Sequence, residues 1–241
     1  MKNMKNMKNM KIDIFADGAD IQSIKKLDKN PLIKGFTTNP TLMRQSGIKN
    51  YLEFTKNIAS VIKKKPISLE VFSDKIQEME QQALILSKIS KNFNVKIPIT
   101  NSKGLSTAKL IARLSSNGVV CNVTAIFTFN QIKDVMKLLP KDTKIILSIF
   151  AGRIADSGKD PEELLKKIKI YLKNYKNVKL LWASTREVFN IFQAARSGCN
   201  IITVPYGILS KLKYIGKDQT VFSLETVKMF KDDAKKAGYK I

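Results

Sequence analysis

The chain has 241 residues, 44% of them hydrophobic, with a mean hydropathy of −0.15, which is typical of a soluble protein able to bury a full core. It contains no histidine, which excludes Ser-His and Cys-His nucleophile pairs and every metal site with a histidine ligand. No apolar run approaches the ~20 residues of a membrane span and no signal-peptide pattern opens the chain, so we expect a cytoplasmic protein.

The formal net charge is +23, from 43 Lys and Arg against 20 Asp and Glu, and nucleic-acid binding is the first function to consider. However, only five of the cations are arginines, and the lysines are spread over the whole chain. The densest runs, 63–65 and 166–169, flank helical patterns without interleaved aromatic residues, as solvated helix faces do. We therefore expect the positive field to attract phosphorylated metabolites rather than nucleic acid or a membrane.

Residues 1–10 repeat Met-Lys-Asn three times before Met10, and we expect this polar low-complexity tract to be disordered. Residues 11–241 are predicted to form a single domain. Cys121 and Cys199 are too few for a disulfide framework and lie in apolar runs, which predicts two buried free thiols.

Eight short β-rich runs alternate with helical patterns along this domain. The predicted strands are 12–16, 32–36, 67–72, 94–99, 119–124, 144–150, 179–183 and 201–205. The predicted helices are 50–63, 75–90, 104–116, 129–138, 161–174 and 185–197, with an extra amphipathic C-terminal helix over 222–237 that carries Phe222, Leu224, Val227 and Phe230 on or near one face. Eight strand–helix units in about 230 residues predict a closed α/β fold, a single (β/α)8 TIM barrel. An open doubly wound sheet is the alternative, but residues 17–20 do not form the glycine-rich phosphate turn that it requires.

Lys96 lies within the apolar strand 94–99, and period-2 alternation separates it from Val95 and Ile97. If its side chain faces the barrel interior, the loss of hydration favours the neutral amine, which can attack a carbonyl and form a Schiff base. The alternative is a strand-end lysine whose ammonium reaches water.

Polar residues at the ends of the other strands favour the first reading, because barrel active sites lie at the C-terminal strand ends. Seven of the eight strands carry or lead to such residues: Asp17; Thr37, Thr38 and Asn39; Glu70; Lys96; Asn122 and Thr124; Ser148 and Arg153; Ser184 and Arg186. Singly, each has a structural explanation, such as helix capping by Asp17, a turn at Asn39-Pro40 or a surface position for Glu70. Together they supply the amine, carboxylates and amides of Schiff-base sugar chemistry, and the two arginines suit phosphate binding.

Several motifs in this order resemble those of the transaldolases, over nearly all of residues 11–205. They are Phe15-Ala16-Asp17-Gly18-Ala19-Asp20, Gly35-Phe36-Thr37-Thr38-Asn39-Pro40, Val95-Lys96-Ile97-Pro98-Ile99-Thr100, Cys121-Asn122-Val123-Thr124, Phe150-Ala151-Gly152-Arg153-Ile154 and Ala183-Ser184-Thr185-Arg186. The short length is similar to that of small-type transaldolases and the related fructose-6-phosphate aldolases. The resemblance implies a homo-oligomer, a ring of five or two stacked rings, in which the C-terminal helix packs on a neighbour. It implies neither a metal nor a cofactor.

The resemblance also implies a role for each site residue. Lys96 would form the Schiff base, Asp17 would be the general base, and Glu70 with Thr124 and a water would move protons during imine formation. The remaining residues would contact substrate: Asn39 and Asn122 would hold the donor hydroxyls and the dihydroxyacetone adduct, Arg153, Ser184 and Arg186 would bind the phosphate, Phe150 would line the pocket, and Ser148 is a further substrate-binding residue.

Two departures and three alternatives accompany this assignment. Gly18 stands where the family usually has Thr or Ser, and residues 206–222 lack the His-Pro-Leu stretch common in small transaldolases.

Within the enzyme class, the alternatives are an aldolase that releases free dihydroxyacetone and a transaldolase for a specialised sugar. Aldolases of this family carry Gln where this chain has Glu70 and Tyr where it has Phe150. A basic, non-catalytic scaffold or nucleic-acid-binding barrel is the alternative outside that class.

Overall fold

Eight parallel strands close into a barrel in chain order, with β8 paired to β1, in a computed structural model that describes residues 11–241. The strands are β1 Asp13–Asp17, β2 Ile33–Thr37, β3 Ile67–Glu70, β4 Phe93–Pro98, β5 Cys121–Ile126, β6 Ile145–Ile149, β7 Val178–Trp182 and β8 Ile201–Pro205. The predicted (β/α)8 barrel is confirmed, and each predicted strand overlaps an observed one. The expected disorder of residues 1–10 lies outside the described residues.

Helices surround the barrel. They are α1 Ile21–Asp28, α2 Pro40–Gln45, α3 Tyr51–Val61, α4 Ile76–Ile89, α5 Ala108–Ser116, α6 Phe129–Met136, α7 Ala151–Asp156, α8 Pro161–Tyr171, α9 Phe189–Arg196, α10 Tyr206–Leu209 and α11 Gln219–Ala237, with 3-10 turns at Leu172–Asn174 and Ser210–Tyr214. Four of them (α1, α2, α7 and α10) are not among the predicted helices, and α2, α7 and α10 have only four to six residues, too few to establish a 3.6-residue period.

Two predicted helices begin four residues late, and in both cases an asparagine side chain binds the preceding backbone. The Asn101 side chain accepts hydrogen bonds from the amides of Lys103 (3.1 Å) and Leu105 (2.9 Å), so a turn replaces the first predicted residues of α5. The Asn190 side chain likewise accepts from the Arg186 amide at 2.8 Å, and α9 begins only at Phe189.

Alternation along the strands creates two apolar regions. Outward-facing residues pack under the helices in the main core, which contains both free cysteines, buried as predicted. A smaller cluster lies inside the barrel and consists of Phe15, Ile146, Leu181, Ala183 and Ile201, contributed by β1, β6, β7 and β8. The barrel interior is therefore apolar on one side, which leaves the side formed by the other strands to polar groups.

Gly35 on β2 makes room for Phe15 inside the barrel. A Cβ atom at position 35 would lie 2.6 Å from the Phe15 ring, closer than side-chain contacts allow. The absence of a side chain at Gly35 thus lets the aromatic ring enter the interior from the neighbouring strand.

The C-terminal helix α11 exists as predicted, but none of its residues is buried. Its apolar side chains are exposed at Val221, Phe222, Leu224, Val227, Met229 and Phe230. The predicted extra helix is therefore present, and its apolar side chains are exposed in the single chain. No helix within residues 11–241 is both long and apolar enough to cross a membrane.

Glu162 on α8 is the one carboxylate buried in the helical layer of the described chain, at 6% exposure. It accepts hydrogen bonds from Arg196 Nε (2.7 Å) and Gln193 Nε2 (3.0 Å), which tie α8 to α9. The hydrogen bonds from Arg196, more than those from Gln193, lower the pKa of Glu162 to about 2.

We predict that Glu162→Gln lowers the free energy of unfolding at pH 7 by about 1–2 kcal/mol, because Arg196 loses its charged partner. The loss is no larger because the Arg196 side chain is half-exposed to water, which can solvate its charge. A carboxylate whose pKa is lowered by folding stabilises the protein above its unfolded pKa, and this contribution is lost as pH falls from about 4.5 toward 2. The variant should therefore show a shallower loss of stability across that pH range in urea unfolding. Glu80→Gln, which breaks the exposed pair with Arg113, is the control and should change stability by under ~1 kcal/mol. Equal effects of the two substitutions would contradict the prediction.

Candidate active site

A cavity of about 480 Å³ opens at the C-terminal ends of the strands. Every predicted site residue lines it: Asp17, Asn39, Glu70, Lys96, Asn122, Thr124, Ser148, Phe150, Arg153, Ser184 and Arg186. The structure therefore brings together all of these side chains, from seven strands and the loops that follow them. Their individual roles stay predictions.

Lys96 lies in the barrel interior with 7% of its surface exposed. Its Nζ is 2.8 Å from Glu70 Oε2 and donates a hydrogen bond to the Thr38 carbonyl at 2.7 Å. The pairing follows from strand register, because Glu70 on β3 lies directly beside Lys96 on β4. The inward orientation expected from alternation is thus observed, and the amine has a carboxylate partner inside the barrel.

Asp17 stands at the end of β1, beside Thr37 on β2. The Thr37 hydroxyl donates to Asp17 Oδ1 at 2.7 Å and is also in close contact with the Thr203 hydroxyl. Burial raises the pKa of Asp17, the Lys96 charge and the Thr37 hydrogen bond oppose this, and the Glu70 charge adds to it. A carboxylate whose pKa is raised in this way is suited to exchange protons nearer to neutral pH.

A hydrogen-bonded row crosses the polar side of the interior. The Ser148 hydroxyl donates to Asn122 Oδ1 at 2.7 Å, and Asn122 Nδ2 donates to the Ser68 hydroxyl at 3.0 Å. Asn122 lies beside Lys96 in the β4–β5 register, and the whole row is buried. These bonds fix the orientation of the Asn122 amide next to the amine.

Asn39 combines a structural contact with a position in the cavity. Its Oδ1 accepts from the Leu42 amide at 3.0 Å and caps α2, whose first residue is Pro40. The structure thus shows a helix start at Asn39-Pro40 rather than the expected turn, and the capping side chain also lines the cavity. Its capping bond leaves the amide N–H donors for a substrate.

Two exposed arginines follow β6 and β7 at the rim. The Arg153 guanidinium stacks over the Phe150 ring at 5.3 Å, and Arg186 Nε is 3.1 Å from Asp156 Oδ2. Hydrogen bonds from Arg186 hold the pKa of Asp156 below its usual range. Two cationic groups thus lie at the rim, and Arg186 already has a carboxylate partner there.

The backbone at this rim is tightly packed. Ser184 adopts a left-handed conformation, with φ of +64°, which is uncommon for a residue with a side chain. Its carbonyl oxygen would lie 1.6 Å from a Cβ at position 152, so Gly152 is needed for α7 to approach the β7 end. Strained backbone of this kind concentrates at binding sites.

Sequence reasoning did not assign three features of the cavity. Thr203 on β8 also lines it, so all eight strands contribute polar groups rather than seven; its alternation with Ile201 was a signal that could have identified it. The role of Thr37 as the Asp17 donor and the pairing of Asp156 with Arg186 depend on three-dimensional packing. Within residues 11–241 no group of three or more Cys, Asp or Glu is arranged to hold a metal ion.

Comparisons of the sequence with known proteins identify related chains. The sequence profile of the family Transaldolase/Fructose-6-phosphate aldolase matches residues 14–241. The chain is 36% identical over 228 residues to a probable transaldolase of Bartonella tribocorum, covering 94% of this chain and 98% of the relative. It is 35% identical to one from a Thermoanaerobacter species, with 94% and 99% covered.

Solved structures at low sequence identity show the same barrel. A putative phosphonomutase of Burkholderia cenocepacia superposes with a TM-score of 0.58 at 10% identity, over 94% of this chain and 97% of that one. A putative fructose-1,6-bisphosphate aldolase of Coccidioides immitis gives 0.56 at 12% identity, over 87% and 79%. These two likenesses establish the fold alone, whereas the profile match and the curated relatives establish more: the chain belongs to the transaldolase/fructose-6-phosphate aldolase family.

Proposed function

We propose that the chain is a transaldolase that transfers a dihydroxyacetone unit from a ketose phosphate, such as sedoheptulose 7-phosphate or fructose 6-phosphate, to an aldose phosphate. The observation that carries the proposal is the buried Lys96 amine, paired with Glu70 in a cavity of sugar-phosphate size. Burying an ammonium costs free energy, and an amine at that position can form an imine with a ketone. Membership of the family supports transaldolase or aldolase activity.

Imine formation is assigned to Lys96, Glu70 and Thr124. In this scheme the ammonium of Lys96 first loses a proton, for which the Glu70 carboxylate at 2.8 Å is the nearest acceptor. The free amine adds to the C2 carbonyl of the ketose, and loss of water gives the protonated imine. Glu70, with the Thr124 hydroxyl two residues beyond Asn122 on β5, moves the protons between the amine, the departing oxygen and water.

Carbon–carbon cleavage is assigned to Asp17. The carboxylate takes the proton of the C4 hydroxyl, the C3–C4 bond breaks, and the electron pair flows into the protonated imine to give an enamine. The aldose phosphate leaves as the aldehyde. When the acceptor aldehyde arrives, the enamine carbon attacks it and Asp17 returns the proton to the new hydroxyl; hydrolysis of the imine then frees the product and Lys96.

Substrate binding is assigned to the rest of the cavity. Asn122, Ser148 and Asn39 supply amide and hydroxyl groups for the donor hydroxyls. The phosphate is assigned to Arg153, Arg186 and Ser184, which line the same cavity as Lys96. That the protein acts in the cytoplasm and binds no nucleic acid stays a prediction.

An aldolase that releases dihydroxyacetone is the second candidate, since the family includes both activities. Glu70 and Phe150 favour the transferase, because a transferase must protect its imine from water until the acceptor arrives. Phe150 places an apolar ring at the cavity wall, packed 5.6 Å from Phe127. A ring without a hydroxyl has no group with which to position or activate a hydrolytic water.

Borohydride reduction in the presence of fructose 6-phosphate should add a dihydroxyacetone-derived mass to the peptide that contains Lys96, and to no other lysine. The burial of this amine in the cavity is the reason for that selectivity. Mass spectrometry of the digest is the measurement. Lys96→Met should abolish the label, whereas Lys34→Met, at an exposed position on β2, should keep it. A label at another lysine would refute the assignment of Lys96.

Arg153→Ala and Arg186→Ala should each lower kcat/KM for phosphorylated substrates by roughly ten- to hundredfold, which corresponds to ~1.5–3 kcal/mol for a charged hydrogen bond. Non-phosphorylated acceptors should lose much less. Steady-state kinetics on both substrate kinds is the measurement. Arg113→Ala, which removes an exposed arginine paired with Glu80 on the outer helices, is the control and should leave both rates unchanged. Equal losses on the two kinds of substrate would assign the rim arginines a structural role.

The wild type should transfer dihydroxyacetone to an aldose phosphate much faster than it releases it, and Phe150→Tyr, alone or with Glu70→Gln, should raise release relative to transfer. The reason is that the added hydroxyl can hold a water near the imine. Free dihydroxyacetone is quantified from fructose 6-phosphate with and without an acceptor. Phe127→Tyr adds the same hydroxyl to the neighbouring ring, which does not line the cavity, and should not change the partition. A wild type that releases as fast as it transfers is an aldolase.

We also propose that the protein is a homo-oligomer of five or ten subunits, with α11 packed on a second copy. The exposed apolar side chains along this 19-residue helix, none of them buried, support the proposal. Light scattering during size-exclusion chromatography should give a mass near five or ten times 27.2 kDa. Val227→Glu with Phe230→Glu should reduce this mass, while Lys231→Glu, a charge change on the same helix, should not. A monomeric wild type would contradict the proposal.

A further inference from the structure

The peptide unit that joins Glu70 to Val71 is held from two sides. Its N–H, which belongs to Val71, donates to the Lys96 carbonyl at 3.1 Å and continues the pairing of β3 with β4. Its C=O, which belongs to Glu70, accepts a hydrogen bond from the Tyr51 hydroxyl at 2.7 Å. Tyr51 is the first residue of α3, so a helical side chain binds the backbone next to the carboxylate that pairs with Lys96.

The pairing of β2 with β3 explains why this carbonyl takes its donor from outside the sheet. At the end of that pair, the Thr38 amide donates to the Ser68 carbonyl at 3.1 Å. Hydrogen bonds between parallel strands advance by two residues, so the next donor, to the Glu70 carbonyl, would be the amide of residue 40. Residue 40 is Pro40, which has no N–H. The Tyr51 hydroxyl supplies the donor that the strand pair lacks.

Glu70 lies between two cavities. A second cavity of about 530 Å³ shares Pro40 and Glu70 with the candidate active site, and Tyr51 lines this second cavity but not the active site. The phenol is therefore not placed to contact a substrate beside Lys96, and its effect on the reaction must pass through Glu70. Burial raises the pKa of Tyr51 and the Glu70 charge raises it further, so the hydroxyl keeps its proton and remains a donor at neutral pH.

We propose that Tyr51 is a positioning residue for Glu70 and holds its carboxylate in place for proton exchange with Lys96 during imine formation. With both the C=O and the N–H of the 70–71 peptide bonded, the direction of the Glu70 side chain is fixed, and its Oε2 lies 2.8 Å from Lys96 Nζ. Proton exchange requires that short separation. Without the phenol, the carbonyl loses its donor and the peptide is free to rotate. The inference rests on the proposed function, in which Glu70 moves these protons.

The consequence is an effect on one step of the reaction. Imine formation is assigned to Glu70, whereas carbon–carbon bond cleavage and formation are assigned to Asp17 on β1. Loss of the Tyr51 hydroxyl should therefore slow formation of the imine and leave the carbon–carbon step unchanged. A tyrosine that only supports the fold would slow both steps or neither.

The test is Tyr51→Phe, which removes only the hydroxyl, with the two steps timed separately. Enzyme mixed with fructose 6-phosphate and quenched with borohydride after increasing intervals gives the rate at which Lys96 is labelled. That rate should fall by roughly three- to tenfold, a modest part of what a positioned acid–base group contributes. Enzyme loaded with dihydroxyacetone and then mixed with erythrose 4-phosphate gives the rate of the carbon–carbon step, which should not change. Tyr171→Phe, on the outer helix α8, is the control and should change neither rate.

Pro40 offers an independent test of the same hydrogen bond. In Pro40→Ala, residue 40 has an N–H at the position where the strand pair lacks a donor, so Tyr51→Phe should slow labelling less in this background than in the wild type. If Tyr51→Phe alone does not fold, the double variant replaces it. The double variant should fold and be labelled as fast as Pro40→Ala alone.

An unchanged labelling rate in Tyr51→Phe, equal slowing of both steps, or no recovery in the Pro40→Ala background would overturn the inference. Labelling of the wild type separates the two proposals. A wild type in which Lys96 is not labelled refutes the proposed function itself. A labelled wild type with an equally fast Tyr51→Phe refutes only the role of Tyr51.

Discussion

One buried ammonium sets the arrangement of the whole site. An unpaired Lys96, 7% exposed inside the barrel, would cost several kcal/mol in lost hydration. The Glu70 carboxylate at 2.8 Å and the Thr38 carbonyl at 2.7 Å offset that cost. Both partners are present because the barrel is closed and in register: β3 places Glu70 directly beside Lys96, and the end of β2 turns a backbone carbonyl toward it. The geometry of three consecutive strands is thus constrained by one side chain.

The interior of the barrel has an apolar side and a polar side, and the Lys96 charge lies on the polar side. Phe15, Leu181 and Ile201 are among the residues that fill the side of β1, β7 and β8 with apolar atoms. Opposite them, the row from Ser148 through Asn122 to Ser68 presents hydroxyl and amide groups. The apolar side lowers the local dielectric constant and strengthens electrostatic interactions within the cavity, while on the polar side each side-chain N or O atom of that row has at least one hydrogen-bond partner. In the proposed reaction, a polar substrate would enter a cavity whose hydrogen-bonding groups are already oriented, which lowers the cost of reorganisation.

The sequence was sufficient to predict the barrel and to locate its cavity because two strong regularities act there. Buried parallel strands have short apolar runs in the sequence, and the carboxyl ends of parallel strands meet at one face of the barrel. Asp17 and Arg186 could therefore be assigned to the same site from the sequence alone. What it could not supply depends on contacts between distant segments. The pairing of Lys96 with Glu70 required the strand register, and that of Arg186 with Asp156 required the packing of α7 against the loop after β7. The later start of α5 was a local matter, decided by side-chain-to-backbone bonds that compete with helix formation.

In a chain without histidine, two carboxylates must divide the proton transfers, and their coupling through Lys96 has the sign that the proposed reaction needs. The positive charge at Lys96 lowers the pKa of Asp17 against the effect of burial. When the carbon–carbon bond breaks, the protonated imine becomes a neutral enamine, so this charge disappears and Asp17 holds the proton it has just accepted more tightly. When the enamine attacks the acceptor, the positive charge returns and favours release of that proton to the new hydroxyl. Glu70, paired with the same nitrogen, stays next to the site of imine formation throughout. In the proposed reaction, the change of charge at one nitrogen thereby favours proton transfer in the required direction at a carboxylate on a different strand, in a chain without histidine.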